Sequence, residues 1–215
     1  MARARVSLAV VKRLPKYYRY LGMIEQKGII RVSSQELSSI TGLTASQIRQ
    51  DLNHFGGFGQ QGYGYNVEEL KSEIEKIMGI NKSYRAIILG CGNIGKAIMN
   101  YKGFKSSGFN IVDVFDHGKK VGSKISDYEI RDIDKLEEYL KEEKPEIAVI
   151  ALPTEIAQEI CDKLIEGGIK GVWNFASLDL KLPKNVVLEN VHLDESLYTL
   201  TYYMNNLADY PGTKN

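Results

Sequence analysis

Long apolar segments, cysteine and histidine are all scarce in this chain of 215 residues. No apolar run approaches the ~20 residues that span a bilayer, and charged residues recur near the N-terminus, so we expect neither a transmembrane helix nor a secretory signal. The two cysteines, Cys91 and Cys161, are too few for a disulfide scaffold or a multi-cysteine zinc site. The three histidines are scattered without metal-ligand spacing. We therefore expect a cytoplasmic protein with no membrane partner and no metal.

The net charge of +1 conceals an uneven distribution of charge along the chain. Residues 1–66 contain nine Lys/Arg and three Asp/Glu, whereas residues 67–215 contain 19 Lys/Arg and 24 Asp/Glu. A basic segment joined to an acidic one favours contact between the basic segment and a polyanion. A solvated basic face is the alternative, and charge alone does not separate the two.

The basic segment contains patterns typical of short amphipathic helices. Pro15 is predicted in the first turn of a helix whose apolar stripe continues to Ile24. Ser33-Ser34-Gln35-Glu36 has the spacing of a capping box, in which the serine hydroxyl and the glutamate carboxylate each accept a backbone N–H at a helix start. Leu37 and Ile40 are predicted to form the buried face of this second helix.

A third helix follows after a turn. Gly42 is predicted to end the second helix, and Thr44-Ala45-Ser46-Gln47 resembles a second capping box. Ile48, Leu52 and Phe55 then recur at helical spacing and form one apolar stripe. Two short helices joined by a glycine-containing turn are the helix-turn-helix pattern.

The face opposite that stripe is polar and suits the reading of DNA bases, since Arg can bond guanine and Gln or Asn can bond adenine. An exposed face that contacts only water is the alternative. The next segment, residues 56–65, alternates glycine and aromatic residues and is predicted to form the hairpin wing of a winged helix. The candidate DNA-binding residues are Ser46, Gln47, Arg49, Gln50 and Asn53 on the helix, and Gln60, Gln61 and Gly62 in the wing.

The middle of the chain has the pattern of a dinucleotide site. An apolar strand, residues 85–89, runs directly into Gly90-Cys91-Gly92-Asn93-Ile94-Gly95, and a helix pattern begins at Lys96. Gly90 would make the tight turn, Gly92 would let a pyrophosphate approach the backbone, and Gly95 would let the helix and strand pack closely. The anion would lie at the positive end of the helix. An ordinary tight turn between strand and helix is the alternative.

Later strand ends supply the remaining cofactor candidates. Asp116 follows the strand 111–115, where a carboxylate accepts hydrogen bonds from the ribose hydroxyls and favours NAD(H) over NADP(H), although Lys119 and Lys120 nearby would weaken that preference. Because ligands of doubly wound sheets lie beyond the carboxyl ends of the strands, the other candidates are Pro153, Thr154, Asn174, Phe175 and Ala176. Tyr101 could reach the nicotinamide end, although a surface or core position is the commoner fate of a tyrosine.

No residue stands out as a proton-transfer group for a dehydrogenase, and little chain remains for a substrate domain. His117 falls near the predicted ribose, and His192 precedes a final helix. We therefore predict no catalytic residue and no enzyme activity. A small NAD-dependent dehydrogenase, whose N-terminal helices only dimerise, remains the alternative.

The final helix has a narrow apolar stripe. After Asp194, a predicted N-cap, leucine and methionine recur at steps of three and four, at Leu193, Leu197, Leu200, Met204 and Leu207. A stripe of this kind packs against another helix or groove, and burial at ~1.5–3 kcal/mol per side chain would anchor a dimer. Packing against the chain's own sheet is the alternative.

These patterns predict an α/β chain with three parts. Residues 1–80 form a winged helix-turn-helix domain, residues 81–191 a Rossmann domain with a doubly wound parallel sheet, and residues 192–215 a dimerisation helix and tail.

The sequence resembles the Rex family of redox-sensing transcriptional repressors over about residues 10–210. The shared segments are Leu14–Arg19, Thr44–Arg49, Asp51-Leu52, Phe55–Gly59, Gly62–Tyr65, Gly90–Gly95, Gly168–Gly171 and Asn174–Ala176. The resemblance implies a homodimer that binds palindromic operator DNA and releases it when NADH binds. It also implies a swapped C-terminal helix and a nicotinamide-facing Tyr101.

The chain departs from the family pattern at several positions. Gln50, Gln60 and Gln61 replace residues that are usually basic in the family. We therefore expect fewer phosphate contacts and a weaker dependence of DNA binding on salt. His192 replaces an aspartate that pairs, in some members, with the arginine at the position of Arg19, so that ion pair does not carry over.

Overall fold

The computed structural model describes residues 6–55, 59–60 and 63–210. They divide into two compact units, one within Met1–Asn81 and Leu207–Asn215 and the other Lys82–Asn206.

The first unit is a winged helix-turn-helix. It contains α1 (Leu8–Gln26), β1 (Arg31–Val32), α2 (Ser34–Thr41), α3 (Ala45–Asn53), β2 (Gly59–Gln60), β3 (Gly64–Asn66) and α4 (Val67–Met78). The strands form an antiparallel sheet in the order β1-β3-β2. Its core consists of apolar side chains from all four helices and from β1 and β3, centred on Leu14, Leu21, Leu37, Ile48, Leu52 and Leu70.

Capping residues set the helix bounds in this unit as the sequence indicates. Ser33 and Glu36 form the complete predicted capping box, and Gly42 ends α2 in the left-handed conformation, with φ 69°. At α3 the Thr44 hydroxyl accepts the backbone N–H of Gln47 at 3.1 Å, which is the N-cap half of the second box.

Two helix assignments in this unit were wrong. Pro15 lies in the interior of α1 and not in its first turn, because the buried stripe begins at Val10 and the helix starts at Leu8 after the Ser7 cap. Ile40 is 40% exposed, and Thr41, one full turn after Leu37, takes the buried position instead. The Thr41 hydroxyl is compatible with burial because it donates to the Leu37 carbonyl at 2.6 Å.

The second unit is a doubly wound α/β sheet. Its strands are β4 (Tyr84–Leu89), β5 (Phe109–Asp116), β6 (Lys124–Ile125), β7 (Tyr128–Asp132), β8 (Ile147–Ile150), β9 (Gly171–Asn174) and β10 (Val187–Asn190). They are ordered β10-β9-β8-β4-β5-β7-β6, and all neighbours are parallel except β6 and β7. This confirms the predicted fold class.

Helices cover the two faces of this sheet. These helices are α5 (Asn93–Met99), α6 (Gly103–Ser106), α7 (Leu136–Glu143) and α8 (Thr154–Glu166), with short 3-10 turns at Gly118–Lys120 and Ile133–Lys135. The unit ends with α9 (Leu193–Asn205), which has no buried residue, and a further 3-10 turn at Leu207–Asp209 groups with the first unit. One core contains side chains of α7 and α8, and the other contains side chains of α5. Strand order reverses beside β4, because β5 lies on one side of it and β8 on the other.

The start of α9 differs from the prediction. The helix begins at Leu193 after His192, so Asp194 lies within its first turn and is not the N-cap. An acidic residue is favourable there, because it interacts with the positive end of the helix dipole.

Candidate nucleic-acid interface and nucleotide site

The polar face of α3 is exposed to solvent. Ser46, Arg49, Gln50 and Asn53 are all exposed, and together with His54 they line an open recess, while Gln47 is half-buried. One guanidinium nitrogen of Arg49 donates to the Ser34 hydroxyl at 2.8 Å, so α2 supports this side chain at its tip. The face therefore presents several amide and guanidinium groups on one rigid helix.

The buried face of α3 contains a carboxylate among apolar residues. Asp51 is 2% exposed, and its two oxygens accept hydrogen bonds from Arg13, one from Nε at 2.6 Å and one from Nη2 at 2.7 Å. The Tyr17 hydroxyl donates to Asp51 Oδ2 at 2.6 Å. Burial alone would raise the pKa of Asp51, but the hydrogen bonds from Arg13 and Tyr17 outweigh it and the pKa is lowered. Asp51 is therefore ionised at neutral pH.

The wing is built on β2 and β3, and Gln60 pairs with Gly64 across them. Gly64 has φ 69°, and a Cβ there would lie 2.7 Å from the Val32 carbonyl oxygen, so β1 and β3 approach closely. The sequence did not reveal β1, because two residues have no recognisable periodicity. Gln61 and Gly62, the other wing candidates, lie outside the described residues.

The glycine turn lies at the carboxyl end of β4. Gly90 has φ 101°, and a Cβ there would lie 2.4 Å from the Ala151 carbonyl oxygen. A Cβ on Gly95 would lie 1.9 Å from the Gly90 carbonyl oxygen, so only glycine permits this approach of α5 to the strand. Gly92, by contrast, faces open space with nothing within 4 Å of a Cβ. Asn93 and Ile94 begin α5 directly after it, so the helix starts three residues before the predicted Lys96.

Asp116 lies beside this turn at the end of β5 and is 4% exposed. Its Oδ2 accepts the Cys91 backbone N–H at 2.7 Å and Lys120 Nζ at 2.8 Å, and its Oδ1 accepts the His117 backbone N–H at 2.8 Å. Burial would raise the pKa of Asp116, but these hydrogen bonds lower it overall, so the carboxylate is charged at neutral pH.

The remaining strand-end candidates lie at the same edge of the sheet, since Leu89 pairs with Ile150 and Ile150 pairs with Asn174. Pro153 and Thr154 are exposed at the start of α8. The Asn174 side chain is fully buried. Its polar atoms are satisfied there, because its amide donates to the Leu178 carbonyl at 2.8 Å and its oxygen accepts a hydrogen bond from the Ala176 N–H at 3.0 Å. Ala176 is buried and Phe175 half-buried.

A row of aromatic rings connects two of the candidates. Tyr101 packs edge-on against Phe104 with ring centroids 4.7 Å apart, Phe104 against Trp173 at 5.6 Å, and Trp173 against Phe175 at 4.6 Å. The Tyr101 ring is itself 62% exposed. Phe104 and Trp173 were missed in the sequence because no local pattern brings residues on α6 and β9 together.

The last helix has no buried residue among those described. Leu193, Leu197, Leu200 and Met204 are each at least half exposed, and so is Leu207 after the helix. In the described part of the chain, no helix is both long and apolar enough to cross a membrane. The same residues include no group of three or more His, Cys, Asp or Glu side chains suited to a metal ion.

Two family models match the chain. One is described as a putative DNA-binding protein N-terminus and matches residues 5–53, and the other is described as a CoA binding domain and matches residues 81–178. Together with the fold, they define the class of protein, which joins a winged-helix DNA-binding domain to a Rossmann domain in one chain.

The family follows from similar proteins. The redox-sensing transcriptional repressor Rex of Clostridioides difficile (strain 630) is 55% identical over 200 residues, which cover 93% of this chain and 95% of the relative. That of Clostridium novyi (strain NT) is 56% identical over 201 residues, which cover 93% and 96%. The chain therefore belongs to the Rex family of redox-sensing transcriptional repressors, as the sequence motifs indicated, and is a regulator rather than an enzyme.

Solved structures agree with this assignment. A crystal structure of RSP in complex with beta-NAD+ and operator DNA matches with a TM-score of 0.89 and 48% identity, covering 99% of this chain and 100% of that chain. A structure of RSP in complex with beta-NADH matches with a TM-score of 0.87 and 47% identity, covering 95% and 97%.

Proposed function

We propose that this chain binds operator DNA and releases it when NADH binds, so that transcription follows the ratio of NADH to NAD+. The observation that carries the proposal is the combination, in one chain, of an exposed polar α3 face and a glycine turn beside Asp116 at the switch point of the sheet. The NAD+, NADH and operator complexes of the similar RSP support it.

The DNA contacts are assigned to α3 and the wing. Arg49 contacts a guanine through two parallel hydrogen bonds, and Gln50 and Asn53 contact neighbouring base edges. Ser46 and Gln47 lie in the first turn of α3, where they contact the phosphate backbone together with Gln60, Gln61 and Gly62 of the wing. Two subunits bind the two half-sites of a palindromic operator.

The dinucleotide binds across the carboxyl edge of the sheet. The pyrophosphate lies over Gly92, where no side chain intervenes, and is bound by the backbone of residues 90–95. Asp116 accepts a ribose hydroxyl. An ionised carboxylate offers about four acceptor positions; three are occupied by the hydrogen bonds described above, and the exposed His117 imidazole lies 3.4 Å from Oδ1, beside the fourth. Pro153, Thr154, Asn174 and Ala176 shape the edge of the site.

The two redox states are distinguished at the nicotinamide end. NAD+ and NADH differ by one hydride on that ring, so the glycine turn and Asp116 contact both alike. The neutral dihydronicotinamide packs more favourably against the aromatic surface of Tyr101 and Phe175 than the charged ring, which loses its hydration there. Moving the population from 1:99 to 99:1 requires ~5.5 kcal/mol of differential binding, which favours two sites that act together.

The active form is a cytoplasmic homodimer joined through α9. Support comes from the apolar stripe of α9, none of whose described residues is buried. A swapped helix provides the partner surface that this stripe lacks within the described chain. It also brings the two nucleotide sites under one conformational equilibrium.

Fluorescence anisotropy of labelled upstream DNA tests this function. We expect binding by the protein alone or with NAD+, release on addition of NADH, and no release with coenzyme A. Tyr101→Phe removes the hydroxyl and Tyr101→Ala the ring, and Tyr101→Ala should abolish release while leaving DNA binding. Truncation before Asp194 should abolish both dimerisation and operator binding. Turnover of NADH with a small carbonyl compound, without any effect of NADH on DNA, would instead favour a dehydrogenase.

A further inference from the structure

The buried face of α3 contains a charged residue that apolar packing does not explain. Ile48 and Leu52 would suffice to pack the helix against the core, yet Asp51 is buried beside them and is charged. Replacing a buried ion pair with apolar residues of similar volume is often neutral or stabilising, so stability alone does not account for this carboxylate.

The partners of Asp51 fix the orientation of its carboxylate as well as its position. Arg13 and Tyr17 lie one turn apart on α1, and both donate to the same carboxylate. The guanidinium uses Nε and Nη2 in a two-point pair, which fixes the plane of the carboxylate as well as its distance. The Tyr17 hydroxyl adds a third point from the next turn.

This three-point attachment restricts rotation of α3 about its own axis. Successive residues of a helix are separated by about 100°, so a rotation by one residue would withdraw Asp51 from both donors. The same rotation would turn Arg49 away from the DNA base that it is proposed to contact, and another side chain would take its place. Burial of Ile48 and Leu52 also opposes a rotation of that size, but it resists small rotations less than the hydrogen bonds do, because hydrophobic burial is not directional.

We propose that Asp51 is a positioning residue for base recognition, which sets the rotation of α3 through Arg13 and Tyr17 without touching DNA. The inference rests on the proposed function, since it concerns how the DNA-reading face is aimed. It assigns the network to sequence discrimination, whereas the phosphate contacts that provide general affinity carry no sequence information.

Adjacent tyrosines provide a matched pair of variants. Tyr17 donates to Asp51 on α3, whereas Tyr18 donates to Glu75 on α4 at 2.7 Å. Tyr17→Phe and Tyr18→Phe each remove one hydroxyl without changing charge. We expect Tyr17→Phe to lower the ratio of operator affinity to random-DNA affinity about threefold, and Tyr18→Phe to leave it unchanged. Both affinities are measured by anisotropy at one salt concentration, and thermal unfolding is recorded for each variant.

A double variant separates discrimination from stability. Arg13→Met with Asp51→Leu removes one charge of each sign, so net charge and affinity for random DNA should not change. We expect a folded protein whose operator-to-random ratio falls about tenfold and whose base preference at the Arg49 position is relaxed. Should the double variant fail to fold, Tyr17→Phe against Tyr18→Phe decides the question.

An unchanged ratio in Tyr17→Phe, or in a folded double variant, would overturn the positioning role of Asp51. So would an equal fall in Tyr17→Phe and Tyr18→Phe, because the effect would then follow from general loss of packing. A wild-type protein that does not prefer its upstream DNA over random DNA would overturn the proposed function and this inference together.

Discussion

Asp51 in the winged-helix unit and Asp116 in the Rossmann unit are chemically alike. Each is buried, accepts three hydrogen bonds and has a lowered pKa. Their donors differ, however. Asp51 accepts its three hydrogen bonds from side chains of α1 and lies on the buried face of α3, whereas Asp116 accepts two of its three from backbone N–H groups and lies at the edge of the sheet.

This difference between the donors corresponds to a difference in the groups that each site exposes, which are side chains on α3 and backbone in the glycine turn. The α3 face presents side chains, so buried groups must fix their direction. The glycine turn presents backbone. Side chains must be absent at Gly90 and Gly95 because a Cβ would clash with the backbone, and at Gly92 only under the proposed approach of the pyrophosphate. Under the roles proposed above, the same carboxylate chemistry would orient a helix in one unit and contact a ligand in the other.

The largest expected effects separate structural from ligand-facing glycines. Gly95→Ala places a Cβ 1.9 Å from the Gly90 carbonyl oxygen, and we expect it to cost more than the ~1–3 kcal/mol typical of an overpacked core and to unfold the Rossmann unit. The side chain introduced by Gly92→Val would extend into open space, so thermal unfolding should not change. NADH binding, measured by calorimetry, should be abolished. DNA binding should survive in Gly92→Val. Retained NADH binding there would remove the pyrophosphate from this turn.

The next effect concerns Asp116. Asp116→Ala leaves the buried Cys91 N–H without its acceptor, and we expect a loss of about 1–3 kcal/mol in stability. NADH affinity should fall and the difference between NADH and NADPH should narrow. Asp113→Ala on the same strand is the control for loss of a carboxylate outside the glycine turn, since Asp113 pairs with Arg131, whose side chain is about half exposed, and NADH affinity should not change. Equal binding of NADPH and NADH by the wild type would contradict the ribose role.

A smaller effect is expected for a substitution on the exposed face of α3. Arg49→Ala should cost about 1–3 kcal/mol of affinity for operator and little for random DNA. Arg31→Ala, which removes the same charge from β1, is the control and should change both affinities alike. If Arg49→Ala also weakens both equally, Arg49 contacts phosphate and not a base.

The smallest expected effect concerns the thiol inside the glycine turn. Cys91 is 1% exposed, and burial together with the charge of Asp116 raises its pKa to about 11. Only about one thiol in a thousand is ionised at pH 8, so iodoacetamide should not modify native Cys91. Cys161, whose pKa burial also raises to about 11, should behave the same way. Rapid modification in the absence of denaturant would make Cys91 a candidate oxidant sensor.

The sequence predicted those features that depend on neighbouring residues. The Ser33–Glu36 capping box, the glycine stop at Gly42 and the strand-turn-helix around Gly90–Gly95 all follow from short-range patterns. Pro15 and Ile40 were misassigned because tertiary packing, which local propensity does not contain, selects the buried face.

Long-range partners could not be predicted. Arg13 and Asp51 are separated by 38 residues, and Cys91 and Asp116 by 25, so nothing in either segment signals the hydrogen bond. The aromatic row requires the sheet to bring β9 beside the helices that follow β4. The positions of the candidate site residues at the strand ends were thus predictable, whereas their hydrogen-bond and ring partners were not.

The aromatic row has an optical consequence. Trp173 is the only tryptophan in the chain, and its ring contacts Phe175 at the carboxyl end of β9. All tryptophan emission therefore originates from one known position on the sheet. A reduced nicotinamide absorbs in the range where tryptophan emits, so energy transfer from Trp173 to bound NADH would report occupancy of the site in the unlabelled protein, in real time and while DNA is present.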